Sequence, residues 1–299
     1  MTGQAALPRD ADEPRARRAG WIAALAFAPR KESWVASSED NFYKIFRNSD
    51  DPARDWLDPA CIEQARREYA DMQLLHRFSG RVCRPLRVDH ACVVYPHLSG
   101  PDLRVTLRRR GGAQGATALR DAMSLLARLH AAGDAALHYP LKDYLVHNHL
   151  RPDANVLRRI AERERTLCIE GFEVRNFRYD RDRNAWLFFD PQVVHRGVPE
   201  NDLARFLVSL LMVNWGKGGS PKIWTGFESR DLVSSYEHAA SRPVDKILLN
   251  YFLHETIAMR RHFAERALRA LHGVPRLLGR PYLAAYFLQL EKWVTSHGF

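Results

Sequence analysis

A chain of 299 residues with 46% hydrophobic and 27% charged residues can form one large domain or two with separate cores. No internal repeat or low-complexity tract interrupts it, and no apolar run nears the roughly 18 residues a membrane helix needs. Lys and Arg number 45 against 35 Asp and Glu, and the net charge of +10 attracts polyanions: nucleotides, anionic glycans or small molecules, or an acidic membrane surface.

No zinc-finger spacing and no RNP-like aromatic motif points to nucleic acid. Cys61, Cys83, Cys92 and Cys168 form no CxxC pair and read as reduced, buried thiols. "GWIAALAFAP" after "RARR" resembles a signal peptide only superficially, because its basic stretch lies far from Met1 and follows acidic residues; a cytoplasmic location is expected.

Residues 1–18, rich in Pro, Arg and Asp, read as a flexible basic tail. Residues 19–98 then form a β-rich unit. "SWVASSEDNFYKIFR" offers two strands, Trp34–Ala36 and Phe42–Phe46, about a polar turn. Asp58 and Pro59 start a helix with Ile62, Ala65, Tyr69, Met72 and His76 on its apolar stripe. "VCRPLRVDHACVVYPHL" reads as two more strands, the second at Ala91–Tyr95. From residue 99 to 299 helices dominate. One ends near Gly133, one covers Asp153–Arg165, one starts after Asp202, and others cover 244–263 and 281–296. Embedded among them, residues 172–190 read as a hairpin with Asn176 at one mouth, "DRDRN" at the turn and Asp190 at the other mouth. The class is α+β in two lobes, a small β-rich one and a larger helical one, and ligands favour the clefts such layouts create.

In order along the chain these segments resemble the protein-kinase-like fold, in its aminoglycoside phosphotransferase and lipopolysaccharide kinase branches, over about residues 30 to 260. "FYKIFR" resembles the strand with the nucleotide-binding Lys, here Lys44, and "ARREYADMQLL" the helix whose Glu, here Glu68, pairs with it. "CVVYPHLSGPDL" resembles the hinge, where the Pro96 carbonyl and the Leu98 N–H would meet adenine. "LARLH" resembles the helix leading to the catalytic loop, "FEVRNFRYD…AWLFFDP" the catalytic Asn and metal-binding Asp, and "NDLARFL" a helix whose Asp braces that loop. The resemblance implies ATP and Mg²⁺ as cofactors, with Asn176 and Asp190 on the metal. The chemistry agrees: phosphoryl transfer needs the triphosphate positioned and its charge neutralised, and Mg²⁺ takes hard oxygen ligands.

Two departures matter. The phosphate-covering turn "ASSEDN" has no Gly, although Ser37 and Ser38 have backbone N–H groups to offer. The family's catalytic Asp, five residues before the Asn, is Gly171; Glu170 beside it is the favoured replacement base, with Asp143 or His138 from the preceding segment as the alternative. Plainer roles stand beside these: Lys44 as an edge-strand Lys, Glu68 as a solvated helix residue, Asp202 as a helix N-cap, "RVTLRRR" as a solvated helix end, and His147 and His149 as loop residues. Three functions follow. The leading one is an ATP- and Mg²⁺-dependent phosphotransferase acting on a hydroxyl of a small molecule or glycan. The others are a catalytically silent pseudokinase that binds nucleotide or a partner protein, and a kinase-fold enzyme that transfers AMP.

Overall fold

A computed structural model describes residues 22, 24–109, 113–132, 140–215, 221, 229–270 and 274–297. The basic tail, the helix end at Gly133 and His138 lie outside the described residues. The chain divides into two compact units, Met1–Ser99 and Gly100–Phe299.

Among its described residues, the first unit has a five-stranded antiparallel sheet and the helices named below. Its strands are β1 (Ala28–Pro29), β2 (Ser33–Ser37), β3 (Asn41–Phe46), β4 (Arg87–Asp89) and β5 (Cys92–Pro96), in the order β1-β2-β3-β5-β4. Helices α1 (Pro52–Trp56) and α2 (Pro59–Phe78) begin alike. Asp51 accepts from Ala53 N–H, Asp58 accepts from the Ala60 and Cys61 N–H groups, and a Pro that needs no donor follows each cap. Trp34, Ile45, Trp56, Cys61, Cys92 and Val94 share the core. Trp34 and Trp56 satisfy their indole N–H groups on Asp55 (2.8 Å) and the Asp89 carbonyl (3.0 Å). The buried face of α2 is Cys61, Ala65, Glu68, Met72 and Leu75, turned from the expected stripe by about one position. An apolar-only ranking of positions keeps Glu68 outside; a partner on the sheet brings it in.

The second unit contains α3 (Leu103–Arg109), α4 (Ala113–Ala131), α5 (Leu141–His147), α6 (Ala154–Glu162), β6 (Thr166–Ile169), a 3₁₀ turn at Val174–Asn176, β7 (Phe177–Asp180), β8 (Ala185–Phe188), β9 (Val194–Gly197), α7 (Pro199–Leu211), α8 (Ser229–Ala240), α9 (Lys246–Arg269) and α10 (Val274–His297). Every residue of α7 is buried, which makes it the central helix of the unit. It packs on α9, which packs on α10, while α8 packs on α4. β7 and β8 form the hairpin, with residues 181–184 at its turn. The antiparallel pair β6–β9 has no counterpart in the sequence reading, since "VHRG" shows neither an apolar run nor clean alternation. Pro281, read as a helix start, lies inside α10. All four cysteines are buried and none is in a disulfide, and no described helix is long and apolar enough to cross a membrane.

Candidate functional site

In the first unit, Lys44 stands on β3 between buried Tyr43 and Ile45, and its amine sits 2.5 Å from Glu68 Oε2 on α2. The other carboxylate oxygen, Oε1, accepts from the Tyr95 hydroxyl of β5 at 2.7 Å. With Lys44 12% and Glu68 4% exposed, this is neither an edge-strand Lys nor a solvated helix Glu. Burying a carboxylate is costly unless it is paired and hydrogen-bonded, and here both oxygens are engaged.

At the end of β5 the ladder geometry explains a proline. Phe46 N–H donates to the Ala91 carbonyl and His97 N–H to the Asp40 carbonyl, so the register makes Asn41↔Pro96 a non-hydrogen-bonded pair. Pro96 therefore leaves no donor site empty, and its carbonyl points away from β3. Two residues on, Leu98 N–H makes no hydrogen bond among the described residues. The β2–β3 connection is a tight reversal. Ser38 N–H donates to the Asn41 carbonyl (2.8 Å), and exposed Glu39 and Asp40 form its tip. The Ser38 N–H is thus spent within the turn and is not on offer to a phosphate.

In the second unit the structure brings Asn176 and Asp190 together. Asn176 Nδ2 donates to the carbonyls of Gly171 (2.7 Å) and Asp190 (3.0 Å), which fixes the amide orientation, because both partners are acceptors. Its Oδ1 accepts no hydrogen bond among the described residues and remains a candidate ligand atom. Asp190 follows β8 with φ 59°, and Gln192 beyond Pro191 has φ 60°. Two left-handed non-Gly residues around one proline store strain of about 1–3 kcal/mol each, a feature that clusters at functional sites.

Gly171 is packed against that bend. A Cβ there would lie 2.4 Å from the Asp190 carbonyl oxygen and 2.6 Å from the Pro191 carbonyl carbon, while Gly171 N–H donates to Pro191 O at 2.8 Å. The position that the resemblance reserves for a catalytic Asp admits no side chain in this backbone. Glu170 is 15% exposed and already engaged: Oε1 lies 2.6 Å from His147 Nε2 and Oε2 lies 3.7 Å from Arg205 Nη1. Asp143 is exposed on the first turn of α5.

The loop from Ile169 to Asn176 is held by one face of α7. Asp202 Oδ2 accepts from Ile169 N–H (2.5 Å), Arg205 Nη1 donates to the Glu170 carbonyl (3.4 Å), and Ser209 Oγ accepts from Val174 N–H (3.1 Å). Positions 202, 205 and 209 share a helix face. Asp202 also pairs with His130 Nε2 at 3.2 Å; His130 Nδ1 lies 2.7 Å from the Tyr236 hydroxyl, to which Arg242 donates at 3.4 Å. The arginine leaves the Tyr236 O–H to point at Nδ1, so the His130 proton sits on Nε2, toward Asp202. Asp202 is not an N-cap: Val198 holds that place and Asp202 is fully buried. His130, Asp202 and Cys168 bring ligand-type atoms within 4.8 Å of one another, but both His130 nitrogens and Asp202 Oδ2 are committed to the brace, and burial pushes the Cys168 thiol far up. Behind the loop, the rings of Phe172, Phe177, Phe188 and Phe206 pack with centroids 5.1–6.2 Å apart.

Arg205, Ser209 and His147 were absent from the sequence-based candidates. Polar residues at 205 and 209 in the run after Asp202, whose other positions are apolar, were the available signal for the first two. For His147, nothing local marks the partner.

No protein-family model matches this sequence, and no curated protein does. Solved structures match over most of the chain. Choline kinase LicA from Streptococcus pneumoniae superposes with a TM-score of 0.56 at 13% identity, covering 90% of this chain and 97% of that one. A choline/ethanolamine kinase family protein from Mesorhizobium loti gives 0.54 at 15%, covering 94% and 93%. An aminoglycoside phosphotransferase from Streptomyces rimosus, in complex with ADP and streptomycin, gives 0.50 at 14%, covering 77% and 91%. The chain has the protein-kinase-like fold of these proteins, a small antiparallel sheet unit followed by a larger helical one.

Proposed function

We propose that this protein is a kinase-like phosphotransferase that binds ATP with Mg²⁺ and phosphorylates a hydroxyl of a small molecule. The observation that carries the reading is the junction of Asn176 and Asp190. The amide is anchored by its nitrogen to the Gly171 and Asp190 carbonyls, its oxygen is left over, and Asp190 itself has a left-handed backbone. An amide oxygen and a carboxylate fit Mg²⁺, which takes hard oxygen donors. When bound, the ion would neutralise phosphate charge as it shifts during transfer. Lys44, held by Glu68 and Tyr95, is the cation for the phosphates, and the Pro96 carbonyl and Leu98 N–H are the acceptor and donor for adenine. The structural neighbours include complexes with ADP and with AMP, which favours a nucleotide ligand.

Glu170 is the residue nearest in sequence to the missing base, and its role in this reading is to polarise the acceptor hydroxyl through the His147–Glu170 pair. A second reading has its own support. Gly171 leaves no room for a side chain, which favours a protein that binds nucleotide without turnover. A loose phosphoryl-transfer transition state asks little of a base, so positioning alone sustains the first reading.

The test is calorimetric titration of ADP and ATP with and without Mg²⁺, on wild type and Asp190→Asn. Metal-dependent affinity should fall at least tenfold in the variant while thermal stability holds. Equal affinity in both proteins would remove Asp190 from the metal site. ATP turnover that drops roughly 10²-fold or more in Glu170→Gln identifies an enzyme using that carboxylate. Nucleotide binding with no turnover in any acceptor panel supports the silent reading.

A further inference from the structure

Helix α3 carries the arginine-rich stretch near the start of the second unit, and contacts with β7 fix where it begins. A Cβ on Gly100 would lie 2.0 Å from the Tyr179 carbonyl oxygen, so only glycine lets the chain touch β7 there. Tyr179 N–H donates to the Pro101 carbonyl at 3.0 Å, and Asp102 forms a β-bridge with Arg178. Asp102 Oδ1 then accepts from the N–H groups of Arg104 (2.7 Å) and Val105 (3.3 Å), starting the helix. As a result α3 packs against β7 and against the 3₁₀ turn that carries Arg175 and Asn176.

Arg104 and Arg108 lie one helical turn apart on α3. Their Nε atoms are buried, and neither finds a hydrogen-bond partner among the described residues. Neither guanidinium group forms an ion pair there, unlike Arg159, Arg163 and Arg205, each of which meets a carboxylate. A solvated helix end would leave those nitrogens to water. Arg104 is pulled below its ordinary pKa first by burial and then by the charges of Arg108 and Arg175, with Asp102 pulling the other way. The nearest carboxylate on the turn, Glu173, is already shared: its Oε2 lies 2.9 Å from Arg175 Nε and its Oε1 is bound by Arg260. The packing of α3 on the 3₁₀ turn thus brings three arginines beside the loop that holds Asn176, with Asp102 by Arg104 and Glu173 on Arg175 as the carboxylates that meet them among the described residues.

We propose that Arg104, Arg108 and Arg175 form a binding site for a compact oxyanion, a phosphate or carboxylate group on the hydroxyl-bearing acceptor. This rests on the phosphotransferase reading for its role, and it specifies the acceptor class: an anionic molecule, since the cluster repels a cationic one such as choline. Guanidinium groups suit the task because their planar forks grip phosphate and carboxylate oxygens two at a time. The same chemistry would also hold the phosphates of the nucleotide, and the experiment separates the two sources.

Inorganic phosphate is titrated against the full chain at constant ionic strength, with and without saturating ADP and Mg²⁺. Wild type should bind phosphate with the same affinity in both conditions. Arg104→Gln/Arg108→Gln should bind it at least tenfold more weakly while keeping its ADP–Mg²⁺ affinity and its circular dichroism spectrum. Arg158→Gln, which removes a charge from exposed α6, should leave phosphate affinity unchanged. Loss of phosphate binding when ADP is present, or loss of ADP affinity in the double variant, would assign the cluster to the nucleotide and overturn the acceptor role. Equal phosphate affinity in wild type and double variant would overturn the site itself, as would an equal loss in Arg158→Gln. If the double variant does not fold, Arg104→Lys/Arg108→Lys takes its place: it keeps the charge, removes the fork, and should still weaken phosphate binding. Wild type that binds phosphate but no ADP–Mg²⁺ would sink the phosphotransferase reading, and the acceptor role with it, while leaving an anion site.

Discussion

Lys44 and Glu68 show how a residue can serve a site and the fold together. From sequence, Lys44→Ala is expected to weaken ATP binding or turnover without unfolding the protein. The geometry adds a stability cost to that, because Glu68 is 4% exposed and its Oε2 meets the Lys44 amine. Lys44→Met leaves a buried carboxylate without this cation and should cost about 3–5 kcal/mol in urea denaturation. Lys44→Met/Glu68→Leu should recover most of that loss while both variants lose nucleotide affinity. A Lys44→Met protein as stable as wild type would show that Glu68 does not need the pair. Asp71, one turn further along α2, tests burial in another way. Burial raises its pKa to about 6, with Arg67 opposing and Glu68 reinforcing the rise. A raised carboxyl pKa means the folded state binds the proton more tightly than the unfolded one. Its contribution to stability is therefore favourable at low pH and is lost as pH climbs from about 4 to about 6. Asp71→Asn should accordingly melt at a higher temperature than wild type at pH 7.5, with the gap closing by pH 4. A gap independent of pH would place the effect elsewhere.

Among the elements, α7 does the most to shape the loop. Its Asp202, Arg205 and Ser209 hold Ile169, Glu170 and Val174 by their backbones, and its Phe206 packs on Phe172. The brace continues through His130 to Tyr236, so a helix, a loop and two further helices share one buried hydrogen-bond chain. Asp202→Ala would strand the Ile169 N–H and the His130 Nε2–H with no acceptor, and should cost about 3 kcal/mol or more. Denaturation reads the stability loss, and faster hydrogen exchange at Ile169 to Asn176 reads the loosened loop. Exchange unchanged there would mean the phenylalanine cluster alone holds the loop. The 3₁₀ turn at Val174–Asn176 depends on the same support. Three residues make too short a helix to hold itself, and its anchor is the amide of Asn176.

At the scale of the molecule, the two units follow different rules of assembly. In the first, consecutive strands pair through short turns, and the order β1-β2-β3-β5-β4 departs from sequence order only where α2 intervenes. Such local pairing shows in sequence, because alternation and turn residues mark each strand. The second unit joins segments far apart. β6 pairs with β9 across the whole hairpin, and α4 meets α8 across nearly a hundred residues. The charge of the chain also belongs to this scale. An excess of +10 says that the protein attracts anions but not where.

Taken alone, the sequence determined the order and type of most elements, the cap at Asp58, the placing of Asn176 and Asp190 at the two mouths of a hairpin, and thereby the protein-kinase-like fold class. Each of these depends on neighbours within a turn or a strand, and local periodicity and capping chemistry record them. The resemblance implied the Lys44–Glu68 pair; tertiary structure alone decided that Tyr95 joins it and that Gly171 packs against Asp190 and Pro191. It alone decided that Ser38 spends its N–H within its own turn, and that Arg104 and Arg108 come to rest beside Arg175. The partners in most of these contacts lie tens of residues away, and whether a polar group is solvated, braced or left over depends on what the distant chain brings to it.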